Sequence, residues 1–214
     1  MCVPRFVTLF SLLALLAALP AKADEPTTAP ASGPAAFAVG SAREAIRLYS
    51  DALPAGGMKA ALAAYHCTKD KEQALAKALA RVDLAAAQLE AWAKAKFGDK
   101  TAPELDHAMR QASDDDLAAS TERVDADRAT VTFPNGYGPL EMIKADGKWK
   151  VDVAALIGAD DDAAAMAETE NAVAEALEHI LGKAKSGDYA NAYLLNRAVK
   201  QQLYRVLGDE EEQE

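Results

Sequence analysis

Cysteine is nearly absent from this chain: 214 residues contain two, Cys2 and Cys67. Cys2 precedes an apolar leader, so a chain cleaved after that leader keeps Cys67 alone and has no intramolecular disulfide. A domain of this size does not need one, because its core can be large enough to fold unaided. Cys67 is read as a small buried hydrophobe, with a reactive thiol or an intermolecular disulfide as the other possibility. Basic residues are also scarce, 23 Lys and Arg against 33 Asp and Glu, for a net charge of −10. An acidic surface repels nucleic acid and anionic headgroups, so neither is expected as a partner.

Chemistry-bearing motifs are missing as well. There is no Gly-rich phosphate loop and no nucleophile elbow. His66-Cys67 is one neighbouring pair without a second, and His179 stands alone, so no zinc site and no other metal site is expected. The runs Asp114-Asp115-Asp116 and Asp160-Asp161-Asp162 lack the alternating carboxylates, central glycine and terminal glutamate of a calcium loop. Both are read as helix caps. No cofactor is expected.

What is present begins with an export signal. Arg5 supplies a positive start, residues 6–19 form an uncharged apolar run of 14, and Pro20 breaks it. Ala21-Lys22-Ala23 then offers small residues where a signal peptidase reads them. The run falls short of the roughly 20 residues that a permanent span requires. Cleavage after Ala23 is expected, with no stable membrane span afterwards and a periplasmic or extracellular location. The mature chain would carry 21 basic and 33 acidic side chains, a net −12. Residues 24–40, with three prolines in the first eleven, form a disordered linker in which Phe37 and Val39 alone could anchor.

Helical periodicity follows. Ser41 is an N-cap for a helix to residue 52, bearing Ala45, Leu48 and Tyr49, and Pro54-Ala55-Gly56-Gly57 ends it. A second short helix is expected over 58–66. A long amphipathic helix follows over 68–97, with Leu75, Leu79, Val82, Ala86, Leu89 and Ala93 inward and Asp83 among the residues facing away. Gly98 caps it, and Thr101 and Glu104 box the start of a further helix to residue 112. The period then changes to two. Strands are predicted near 121–125, from 128 to 133, over 140–144 and over 148–153, with Asp146-Gly147 as a hairpin turn. Trp149, Val151 and Val153 would share one face, and Lys148, Lys150 and Asp152 the other. That makes a meander of about four antiparallel strands, apolar on one side. Two last helices, 163–185 and 189–207, form a hairpin, the second carrying Tyr193, Leu194, Ala198 and Leu203. Residues 208–214 are an acidic tail.

The helix, glycine-bearing turn and tyrosine-ended helix of residues 42–66 resemble the opening of nuclear transport factor two-like (cystatin-like cone) domains. Val124-Asp125-Ala126-Asp127-Arg128-Ala129-Thr130-Val131 and the segment 144–152 are similar to that superfamily's meander. The resemblance covers residues 41–157; the hairpin 158–207 lies outside it, and the helix over 68–97 is longer than usual there. It implies a curved sheet cupped around a helix-roofed cavity. The expected fold is therefore α+β, with N-terminal helices packed on a curved antiparallel meander and a C-terminal helical hairpin.

The superfamily hosts isomerases, dehydratases, cyclases and noncatalytic binding domains, so fold alone does not choose among them. Asp106-His107 is the most enzyme-like pair, because a carboxylate can hold an imidazole in one tautomer. Neighbours on a helix point about 100° apart, however, and do not face each other. If the cone is present, Tyr137 and Trp149 are placed near its cavity as ligand-binding groups. The leading expectation is a noncatalytic exported domain that binds a small ligand or a partner protein. The alternatives are a cone-type isomerase or hydrolyase using His107 as base, and a helical protein-interaction module working through the helix over 68–97 and the C-terminal hairpin. The oligomeric state is left open.

Overall fold

In a computed structural model of the protein, the described residues are 37–101, 105, 109, 112–134, 139–158 and 162–208. Residues 1–36, which carry the expected leader and most of the expected linker, together with Asp106, His107, Tyr137, Asp160, Asp161 and residues 209–214, lie outside them. Of the helix expected to run to residue 112, Leu105, Met109 and Ala112 are described; Leu105 and Met109 are helical and buried, and Ala112 is not helical.

The described residues form an α+β fold of six α-helices and one open five-stranded sheet. Helix α1 (Ala42–Ala63) starts at Ser41, whose side chain accepts from the Glu44 N–H. Glu122 adds a second cap from across the fold, accepting from the Ala42 N–H at 2.9 Å. The expected break falls at Gly57, where φ 63° and ψ −172° bend one helix into another. Glycine alone takes that conformation cheaply. The first segment thus runs through Pro54, past residue 52 where it was expected to stop.

The second segment ends at Ala63, short of residue 66. Tyr65–His66 forms a two-residue strand, β1, that pairs parallel with β5 (Lys148–Asp152). The capture begins at Ala64, whose carbonyl accepts from the Val151 N–H at 2.8 Å. β5 ends the meander and offers unpaired backbone groups there, which a neighbouring extended segment satisfies. The remaining strands, β2 (Thr121–Asp125), β3 (Arg128–Thr132) and β4 (Pro139–Ala145), complete an antiparallel meander with β5. The order is β1-β5-β4-β3-β2, so the expected four-stranded antiparallel sheet is a mixed sheet of five. Asp146-Gly147 turns β4 into β5 with φ 54° and 73°, as a two-residue hairpin requires.

Helix α2 (Asp70–Phe97) is the spine. Its N-terminal half packs with α1, the sheet and α3 (Asp114–Ala119) in one core containing Ile46, Leu75, Leu79, Val131, Leu140 and Met142. Its C-terminal half packs with α5 (Ala163–Ser186) and α6 (Ala192–Leu207) in a second core containing Leu89, Leu105, Leu177, Ile180 and Val199. Asp114-Asp115-Asp116 opens α3 as a cap: Asp116 accepts from the Ser113 N–H at 2.9 Å, and Ser113 Oγ accepts from the Asp116 N–H at 3.2 Å.

Two expected faces are different. β5 stops at Asp152, and Val153 opens the short helix α4 (Val153–Leu156). Asp152 is 5% exposed rather than solvated, and Arg128 Nη1 pairs with it at 3.0 Å. Helix α6 begins at Ala192 rather than 189, because Asn191 caps it by accepting from the Leu194 N–H. That start turns Leu195, Val199 and Leu203 inward, four residues apart, and leaves Tyr193 68% exposed.

Candidate functional site

A polar cluster lies inside the helical layer where α1, β1, α2 and α5 meet. Tyr49 comes from α1, Tyr65 from β1, Asp83 from α2 and Glu170 from α5. Tyr49 Oη donates to Asp83 Oδ2 at 2.7 Å, and Tyr65 Oη donates to the same oxygen. The two rings meet edge to face, with centroids 6.4 Å apart at 85°. Asp83 is 3% exposed, Glu170 2% and Tyr65 6%. Glu170 Oε2 is buried without a hydrogen-bond partner.

Burial dominates the electrostatics. Asp83 is pushed up to about 6 by loss of hydration, against the opposing pull of the Tyr65 and Tyr49 hydroxyls. Glu170 is pushed well above the ordinary carboxylate range, first by burial and then by the negative charge of Asp83. Both phenols are pushed up by the same two causes, so they remain donors. Arg81, the nearest cation in sequence, does not neutralise the pair. Its guanidinium is committed to Glu178 at 2.6 and 2.7 Å, with Glu175 at 3.6 Å and Asn171 at 3.4 Å.

A carboxylate titrating near 6 beside two phenols has the acidity of a general base. Its Oδ2 is taken by those phenols, and the side chain is sealed from solvent. The arrangement is suited to holding protons inside the fold rather than passing them to a substrate.

Trp149, expected near a cavity, does not join this cluster. It is partly buried against the core; its Nε1 donates to the Gly40 carbonyl at 2.9 Å and the Lys144 ammonium lies 5.5 Å from its ring centroid. That bond and the packing of Phe37 fasten residues 37–40 to the fold. His107 and Tyr137 lie outside the described residues. Among the described residues no group of three or more His, Cys, Asp or Glu side chains is placed to hold a metal ion. His179 is exposed on α5, and Cys67 is partly buried beside the Glu72 carbonyl, Sγ to O 3.6 Å. Burial, then Glu72 and Asp152, push the Cys67 thiol up and keep it protonated.

Asp83 faces inward, against expectation, and Glu170 carries no motif that would single it out. Each nevertheless sits in an apolar stripe: Leu79, Asp83 and Ala86 on α2, and Met166, Glu170, Val173 and Leu177 on α5. A charge at helical spacing between buried residues is the signal that marks them. Compared with known proteins, the chain matches no family model, no curated protein and no solved structure.

Proposed function

We propose that this chain is an exported, noncatalytic binding domain of the cone type whose partner is a protein with an acidic surface, met on the outer face of α6. The single observation that carries the reading is Tyr193, 68% exposed on a helix whose other side is core. Leu194 beside it is 39% exposed. Arg197, Lys200 and Arg205 are exposed on the same helix, and residues 192–207 contain no acid in a chain of net charge −10. An aromatic anchor flanked by cations complements an acidic protein with an apolar notch.

Other features support the parts of this reading. Arg5, the apolar run and Ala21-Lys22-Ala23 support export. The order of helices first and meander second supports the cone-type resemblance. The inner sheet residues Val131, Leu140, Met142 and Val151 share one core with Ile46, Leu75 and Leu79, which favours a protein partner over a small ligand between sheet and helices. α2 is buried along much of its length, whereas the outer face of α6 is open to a partner.

The test is native mass spectrometry of the gently purified exported chain beside Arg197→Glu and Lys200→Glu. The expected result is a complex with an acidic protein that dissociates as salt rises and is lost in both variants, whose circular dichroism is unchanged. An adduct of small-molecule mass that survives both substitutions overturns the reading. So does salt-sensitive binding to phosphatidylglycerol vesicles in place of a protein complex.

A further inference from the structure

Among the described residues the most extensive helix packing is α2 against α5. Small side chains, Ala80 and Ala86 on one helix and Ala167 and Ala174 on the other, are buried along this seam. Leu79, Ala80, Met166 and Ala167 belong to the sheet-side core, and Val82, Ala86, Val173 and Ala174 to the hairpin-side core. Asp83 and Glu170 stand at the junction between the two. A purely structural seam would be expected to continue the alanines and leucines through these positions. Instead each helix contributes one carboxyl, and Glu170 Oε2 has no hydrogen-bond partner.

We propose that Asp83 and Glu170 form a proton-operated latch between α2 and α5: protonated, they let the α5–α6 hairpin seat on α2, and their ionisation in the sealed seam loosens it. Two phenols serve Asp83, so its charged form is partly accommodated in place. Glu170 Oε2 has no such donor, and an unpaired charge buried there is costly in a way that hydration would relieve. Opening the seam admits water to both acids and releases their protons to solvent.

The groups facing the pair set the sign. Tyr49 on α1 and Tyr65 on β1 donate to Asp83, and Glu170 faces the charge of Asp83. Arg81 on α2 is turned to Glu175 and Glu178, and on α6 the cations Arg197, Lys200 and Arg205 are exposed. Among the described residues no cation offsets the charge of Asp83 at Glu170, so ionisation of the pair as pH rises weakens the seam. The latch requires no partner, so its test is independent of the reading of α6.

Hydrogen exchange followed by mass spectrometry at pH 5 and pH 8, corrected for intrinsic exchange, reads the latch on the full chain. Opening of α5 is expected to rise about tenfold or more across this interval, the equivalent of at least one pKa unit, while β3 and β4 respond less. Asp83→Asn with Glu170→Gln should together reduce the rise to less than about twofold by the same conversion, and Glu170→Gln alone should reduce it in part. Glu170→Met, apolar and of similar length, should do likewise and guards against failure of the amide to pack. A rise of the same size in these variants overturns the latch. So does a rise spread evenly over the chain, or one abolished by millimolar calcium, which would mean that a cation rather than a proton neutralises the pair.

Discussion

Leu177→Ala is expected to destabilise the molecule by about 2–5 kcal/mol, the range for emptying a fully buried leucine site. Leu177 is 1% exposed on α5 and belongs to the core that α2 shares with the C-terminal hairpin. Because α2 runs unbroken from Asp70 to Phe97 through both cores, the loss should not be confined to the hairpin. The two tryptophans report separately. Trp92 packs on the hairpin-side core, edge to face with Phe97 at 5.5 Å, and Trp149 packs on the sheet-side core. Single-tryptophan versions, Trp92→Phe and Trp149→Phe, should therefore give coincident urea transitions at pH 5, both shifted down by Leu177→Ala. A shifted Trp92 transition beside an unmoved Trp149 transition would mean that the hairpin is an appendage.

The second large effect is a fall in stability as pH rises. A carboxyl whose folded pKa lies above its unfolded value keeps a proton that the unfolded chain has released. Between the two values the folded state binds more protons, so the unfolding free energy declines with pH. For Asp83, raised from 3.8 to about 6, the full term is about 3 kcal/mol, present below pH 4 and lost through pH 6. Glu170 extends the loss to higher pH. Glu72 works in the opposite direction. Its carboxylate accepts from the Thr68 N–H at 2.7 Å, Thr68 Oγ1 at 3.0 Å and the Lys69 N–H at 3.1 Å, which hold it below the usual range. Its contribution is therefore lost as pH falls through the acid range. Stability should thus decline from about pH 4 upward, and urea midpoints should be lower at pH 8 than at pH 5.

Local chemistry made much of this fold legible. The meander is written in alternating residues and one Asp-Gly turn, and the strands lie within two residues of the predicted positions. The long helix is written in its apolar stripe and the glycine after it. β1 left no such trace, since two residues cannot show a period and only the exposed edge of β5 makes Tyr65 and His66 extended. The phase of α6 was hidden for a related reason. Tyr193 and Leu194 are apolar enough to read as core, and the cap at Asn191, which turns Leu195 inward, competes with an apparent start at Tyr189. At the buried cluster, Asp83 is ordinary among the charges of a surface helix. It becomes unusual only when Tyr49, Tyr65 and Glu170, far apart along the chain, fold around it.

The measurement that goes most directly to the buried acids is a carbon-13 titration of the Asp and Glu carboxyl groups by nuclear magnetic resonance, with Asp83→Asn and Glu170→Gln to assign the two signals. Asp83 is expected to titrate near 6, and Glu170 to keep the shift of a protonated acid after the surface carboxylates have ionised. Both signals moving with the surface groups, near 4, would contradict a seam sealed around protonated acids.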